Sequence, residues 1–136
     1  RYTQACAWRV RDHSVGRLRV LRLAAAADTL AACTRVDSLA TRATMLVDAV
    51  PDDVAATVGY LADAASFSTG SMSLVKTVPY IAAHAAGCIA GPEARREYEE
   101  TYRAERKWQS QWLAEHLELH PTNRVLPSPP RGNVTR

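Results

Sequence analysis

The sequence predicts an all-α protein, a single-domain bundle of about five helices with a long C-terminal helix and an irregular tail. Apolar residues repeat at helical spacing in successive segments, no segment alternates as a half-buried strand does, and proline or glycine lies at most of the boundaries between segments. Of the 136 residues, 47% are hydrophobic and 23% are charged, which is typical of a globular chain and not of a disordered one. We therefore assign residues 1–120 to a helical bundle domain and residues 121–136 to a flexible, proline-rich tail.

The first part of the chain predicts two helices. Residues 3–11 favour a short helix that is broken near His13 and Gly16, since glycine is a poor helix former. Residues 15–34 favour a second helix, because good helix formers surround an apolar stripe made of Leu18, Leu21, Ala25 and Leu30.

Two further helices are predicted on either side of Pro51. Asp37 or Ser38 offers an N-cap for a helix over residues 39–50, and Pro51 ends that helix because the residue before a proline is disfavoured in the helical region. Asp52 then caps a helix over residues 53–66, whose apolar stripe consists of Val54, Val58, Leu61 and Ala65.

The last two helices carry the histidines and most of the aromatic residues. Residues 72–89 predict a helix that Pro79 kinks or divides. Gly91 and Pro92 break the chain, and a long helix then continues to His120. We expect its aromatic residues to pack inward and its charges to form a solvated face, with base stacking as the alternative; these residues are Tyr98, Tyr102, Trp108 and Trp112.

The sequence carries no recognisable enzyme signature. It has no GxSxG motif, glycine-rich phosphate loop or paired-carboxylate motif, so we predict no catalytic residue, no cofactor and no metal site. His116 and His120 have a spacing that could share a metal, but a favourable interaction with the helix dipole explains them better. His84 and Cys88 could form a nucleophilic pair, but their apolar surroundings favour a buried histidine with a satisfied hydrogen bond.

Charge and cysteine usage indicate the kind of partner and compartment. The net charge is +5 in residues 1–23, −3 in 24–91, −2 in 92–120 and +3 in 121–136, which sums to the +3 of the chain. Basic ends that are not gathered on one face make nucleic acid a less favoured partner than protein. We expect five arginines to contact an acidic protein partner and steer its approach: Arg9, Arg11, Arg17, Arg19 and Arg22.

The expected location is the cytoplasm. Three cysteines without a CxxC pair favour a reducing compartment. No apolar run approaches the ~20 residues of a membrane span, and none has the form of a signal segment. A homodimer is also compatible with the sequence.

Two segments near the C-terminus, YIAAHAAGCIAG and ERKWQSQWLAEHL, resemble the C-terminal part of a group of bacterial all-helical immunity proteins. In that group a long helix has the pattern E-R-x-W-Q-x-x-x-L-x-E-x-L. The resemblance implies a cytoplasmic antitoxin that neutralises a cognate toxin by binding it, and it brings no catalytic residue. The matching positions are Glu105, Arg106, Trp108, Gln109, Leu113, Glu115 and Leu117.

A second segment, residues 53–76, is similar to the second helix-turn-helix of AraC-type transcription regulators. Gly59 and Tyr60 would form the turn, and Phe67 and Ser68 would precede the recognition helix. This resemblance implies a DNA-binding regulator as the alternative function. We favour protein binding, because Lys76 is the only cation in the segment that would approach phosphates.

Overall fold

A computed structural model describes residues 2–69, 76–90 and 94–117, and all regular structure in these ranges is helical. The all-α prediction is confirmed, with six α-helices described where about five were predicted. Contacts divide the chain into two compact units, residues 1–106 and residues 107–136. The predicted tail, residues 121–136, lies outside the described residues. The helices are α1 (Tyr2–Val20), α2 (Ala24–Ala31), α3 (Val36–Leu46), α4 (Asp52–Phe67), α5 (Val78–Gly87), which a 3₁₀ turn (Cys88–Ala90) follows, and α6 (Arg95–His116).

Helix α1 corrects the prediction of a break near His13 and Gly16. The helix runs through both residues, because Gly16 faces solvent with open space around it and an exposed helical glycine costs only about 1 kcal/mol. The helix ends instead just before Arg22, whose φ is 63°. There the amide of Leu23 donates to the carbonyl of Leu18 at 2.8 Å, and the amide of Arg22 donates to the carbonyl of Arg19 at 3.0 Å. These two hydrogen bonds are the Schellman pattern of a helix end.

The prediction around Pro51 is confirmed for the start of α4 and is wrong for the end of α3 and for the N-caps, which are Arg35 for α3 and Pro51 for α4. Helix α4 begins at Asp52 directly after Pro51, whereas α3 ends at Leu46, four residues earlier than predicted. Asp37 lies in the first turn of α3, where it accepts hydrogen bonds from the Arg35 side chain and from the amide of Ser38. These bonds lower the pKa of the Asp37 carboxyl to about 2, the Arg35 bond having the larger effect.

Helix α4 lies at the centre of the first unit, where it packs against α1, α3 and α5. Its predicted apolar stripe is fully buried, as the 3.6-residue spacing indicates; the stripe is Val54, Val58, Leu61 and Ala65. Alanines on α5 complete the packing, and four of them are fully buried: Ala82, Ala83, Ala85 and Ala86. Small side chains on facing helices allow the backbones of α4 and α5 to approach closely.

The prediction that Pro79 kinks or divides a long helix is wrong. Pro79 lies in the first turn of α5. Proline is tolerated there because the first amides of a helix have no intrahelical acceptor. The predicted beginning of this helix, at residue 72, lies outside the described residues. Among the residues that the structure describes, no helix combines the length and apolar character needed to cross a bilayer.

Candidate protein-interaction site

The side chains of α4, α5 and α6 form a continuous group of rings around His84. The His84 ring centroid lies 5.8 Å from that of Tyr60, 5.9 Å from Tyr98 and 5.2 Å from Tyr102. Tyr98 and Tyr102 stack on each other at 5.9 Å. Tyr80 extends the group on α5, one turn before His84. We call Tyr60, Tyr80, His84, Tyr98 and Tyr102, together with Arg106, the aromatic surface.

Gly87 allows α6 to approach α5 at this surface. A Cβ atom at Gly87 would lie 2.7 Å from both Cδ2 and Cε2 of Tyr98, well inside contact distance. The Tyr98 ring therefore occupies the space that any other residue at position 87 would fill. Because Gly87 lies three residues after His84 on the same side of α5, this close approach also brings the Tyr98 hydroxyl to the His84 ring.

A hydrogen bond joins the Tyr98 hydroxyl to Nδ1 of His84. Burial raises the pKa of Tyr98, and the neighbouring Cys88, Tyr102 and Tyr60 raise it further, so the hydroxyl keeps its proton at neutral pH. The tautomer of the His84 ring decides which of the two atoms donates, since a phenol hydroxyl both donates and accepts. His84 is exposed, which corrects the prediction of a buried histidine; the predicted hydrogen bond is present.

Arg106 completes the aromatic surface from α6. Its Cζ atom lies 4.1 Å from the centroid of the Tyr80 ring, within the distance of a cation–π contact. Tyr80 is 50% exposed and Tyr60 is 38% exposed. The surface therefore presents phenol rings, an imidazole and a guanidinium together.

A shallow groove borders the aromatic surface at Tyr60, between α4 and the end of α3. Its volume is about 550 Å³, and its walls include Val47 and Ala56. Two carboxylates, Asp48 and Asp63, line the same groove. Neither carboxylate forms an ion pair within the described ranges.

On α6, burial differs in part from what the sequence predicted. Glu105 is 2% and Gln109 is 1% exposed, whereas the four aromatic residues expected in the interior are only half-buried. Arg9 donates through Nε to both carboxylate oxygens of Glu105, at 3.0 and 2.9 Å. Nε2 of His13 lies 3.2 Å from the first of these oxygens. Glu105 thus links α6 to two residues one turn apart on α1.

The five arginines predicted to bind a partner have different surroundings in the structure. Arg9 is held by Glu105, and Arg11 donates to the carbonyls of Leu30, Ala31 and Cys33 at 3.1–3.3 Å, which caps the end of α2. Arg19 pairs with Asp28 at 3.0 Å on the surface. Nε of Arg17 is buried with no hydrogen-bond partner within the described ranges, and Arg22 is exposed. Partner binding by these arginines stays a prediction.

The sequence allows but does not favour His84 with Cys88 as a nucleophilic pair and His116 with His120 as a metal site. Burial raises the pKa of the Cys88 thiol, which is opposite to what a nucleophilic cysteine requires. The His116 ring stacks on Trp112 at 3.8 Å, and its Nδ1 donates to the Trp112 carbonyl at 2.9 Å, while His120 lies outside the described residues. In the part of the chain that the structure describes, no three metal-ligating side chains form a group.

The turn that the helix-turn-helix resemblance implies is absent, which corrects that expectation. Gly59 and Tyr60 lie in the middle of α4, which continues without a break to Phe67. Gly59 is tolerated in the helix interior because one glycine costs a helix only about 1 kcal/mol, and the buried stripe of α4 outweighs that cost. The α4 helix therefore presents Tyr60 to the aromatic surface instead of turning there.

Sequence reasoning did not single out Tyr60, Tyr80, Asp48 or Asp63 as binding residues. A signal was present in the four-residue spacing of Tyr80 and His84 and in that of Tyr98, Tyr102 and Arg106, since such spacing places side chains on one helical face. That α5 and α6 turn these faces toward each other follows only from the packing. Comparison of the chain with protein-family models, curated proteins and solved structures finds no match.

Proposed function

We propose that the chain is a non-enzymatic protein-binding module and that it binds its partner through the aromatic surface. The observation that carries the proposal is the exposure of two tyrosines at this surface. Tyr60, 38% exposed, belongs to the group of rings around His84, and Tyr80, 50% exposed, lies one turn before His84 and contacts Arg106. Tyrosine and arginine are enriched among the residues that dominate binding energy at protein interfaces. Phenol rings also bury much area at small cost in side-chain entropy, because they have few rotatable bonds.

The arrangement of the surface supports this proposal further. Tyr98 is fixed by Gly87 and by the bond to His84, and Arg106 holds the exposed Tyr80 ring from one side. A surface whose side chains are already ordered loses less conformational entropy on binding.

We propose an immunity protein as the specific form of this module. The support is the resemblance of residues 80–91 and 105–117 to bacterial immunity proteins, since these residues include Tyr80, His84 and Arg106 of the aromatic surface. In this role the chain would neutralise a toxin by covering part of its surface. The partner would then be a protein whose own expression arrests growth and whose toxicity this chain relieves.

The test begins by capturing partners of the full chain from a lysate of the source organism. The partner that binds most tightly is then purified. Calorimetry then compares the wild type with Tyr80→Ala and Tyr60→Ala. We expect each variant to bind at least about 30-fold more weakly, which is the effect of losing roughly 2 kcal/mol at an interface centre. Met45→Ala is the control, because Met45 is 71% exposed and lies outside the aromatic surface; its affinity should stay within about threefold of the wild type.

The rival surface is tested in the same series with Arg22→Ala. If Arg22→Ala weakens binding and both tyrosine variants do not, the aromatic surface is not the binding site and the arginine prediction takes its place. The immunity role is tested by co-expression: the partner alone should arrest growth, wild-type chain should restore it, and Tyr80→Ala should restore it poorly. A partner without toxicity would remove the immunity role and leave the binding module.

A further inference from the structure

The groove between α4 and the end of α3 has the size and lining of a binding site for one side chain. Its volume of about 550 Å³ is within the roughly 300–1,000 Å³ usual for ligand sites. Val47, Ala56 and Ala62 supply apolar wall, and the ring of Tyr60 forms one border.

The polar character of this groove is anionic. The hydroxyl of Thr44 donates to the carbonyl of Ala40 at 2.8 Å, so it is already engaged within α3. Asp48 and Asp63 are exposed and have no ion pair within the described ranges. Two unpaired carboxylates beside an aromatic ring are complementary to a cation, since both the carboxylates and the ring face attract positive charge.

We infer that this groove receives an arginine side chain of the partner protein. The inference rests on the proposed function, because Tyr60 belongs both to the aromatic surface and to the groove. The aliphatic part of an arginine would lie along Val47 and Ala56, and its guanidinium would face Asp48 and Asp63. Arginine fits better than lysine, because a planar guanidinium can stack on the Tyr60 ring and donate to a carboxylate at once. The net charge of −3 over residues 24–91 favours the approach of a basic partner segment.

The test is an NMR titration of the full chain with N-acetyl-arginine methylamide at low salt. The uncharged, nearly isosteric N-acetyl-citrulline methylamide is the matched probe. We expect saturable amide shifts, confined to residues 44–48 and 56–63, from the arginine compound and weak, unsaturated shifts from the citrulline compound. The double variant Asp48→Asn/Asp63→Asn should bind the arginine compound about tenfold more weakly, because it loses both carboxylates. Asp53→Asn, at an exposed aspartate that does not line the groove, should bind it as the wild type does.

Equal shifts from the two probes would overturn the inference, since binding would then not depend on the positive charge. An Asp53→Asn effect as large as that of the double variant would also overturn it, since it would mean non-specific attraction. With the purified partner, the double variant should weaken binding and lower its salt dependence; unchanged affinity would also overturn the inference. The titration needs no partner, so its outcome is separate from that of the proposed function. If the partner binds through the tyrosines but the groove does not bind arginine, the protein-binding proposal stands and the arginine inference fails. If the groove binds arginine but no partner is found, only the protein-binding proposal fails.

Discussion

At the scale of single residues, Arg22 has the least usual backbone conformation. Its φ of 63° is the only positive value of a non-glycine residue within the described ranges. This left-handed conformation costs an L-residue roughly 1–2 kcal/mol, and helix ends of this type usually have glycine at that position. The hydrogen bonds from Arg22 and Leu23 back to α1 hold the residue there.

Arg22→Gly is expected to stabilise the protein by about 0.5–1 kcal/mol, since relief of the left-handed strain exceeds the added entropy of a glycine in the unfolded chain. The free energy of unfolding in urea measures it. Arg22→Ala is the matched control, because it removes the same side chain and keeps the strain; it should leave stability within about 0.5 kcal/mol of the wild type. Equal stabilisation by both variants would mean that the charge, and not the backbone, is the cause.

At the scale of elements, the attachment of α6 to α1 depends on a buried carboxylate. Glu105 receives two hydrogen bonds from Arg9 and a contact from His13. The side chains of Arg9 and His13 are 34% and 35% exposed, so solvent weakens their attraction to Glu105 compared with a fully buried pair.

Glu105→Gln should therefore destabilise the protein by about 1–2 kcal/mol, less than the roughly 3–5 kcal/mol of a fully buried broken pair. Urea unfolding measures the change. Glu99→Gln on the exposed side of α6 is the control and should change stability by less than about 0.5 kcal/mol. A double-mutant cycle with Arg9→Gln should give a coupling energy near 1 kcal/mol. A coupling of zero would show that Glu105 is held by other contacts.

Glu105 also shows how far the elements could be predicted. The stripe of α4 and the break at Pro51 were predictable, because they depend on residues within a few positions of each other. The burial of Glu105 was not, because its partner Arg9 is 96 positions away and nothing local distinguishes Glu105 from the exposed glutamates of α6. The aromatic surface could be predicted only in part for the same reason. Residue spacing predicts which side chains share a face of each helix, but only the packing shows that the faces of α5 and α6 meet.

At the scale of the whole molecule, the reactivity of the three cysteines can be used to follow the unfolding of the first unit. They lie on α1, after α2 and after α5, and the structure leaves all three as free thiols. Cys6 and Cys33 are 0% and 7% exposed. Burial raises the pKa of Cys6 to about 12 and also raises the pKa of Cys88. At pH 8, therefore, only a small fraction of Cys6 and Cys88 is in the reactive thiolate form. Burial also keeps an alkylating reagent from reaching Cys6 and Cys33.

We expect alkylation at pH 8 to modify Cys88 first and to modify Cys6 and Cys33 only as the first unit unfolds. Protection of Cys6 should exceed about 10³-fold relative to the unfolded chain, since its labelling requires opening of a stable domain. Mass spectrometry of alkylated peptides along a urea series measures each thiol separately. Cys88→Ser simplifies the assay, because Cys88 is only half-buried. If residues 1–106 unfold cooperatively, Cys6 on α1 and Cys33 after α2 become reactive at the same urea concentration. Labelling of Cys33 at a lower urea concentration than Cys6 would mean that the α2 region opens before the helices packed around α4, and the first unit would then not unfold as one domain.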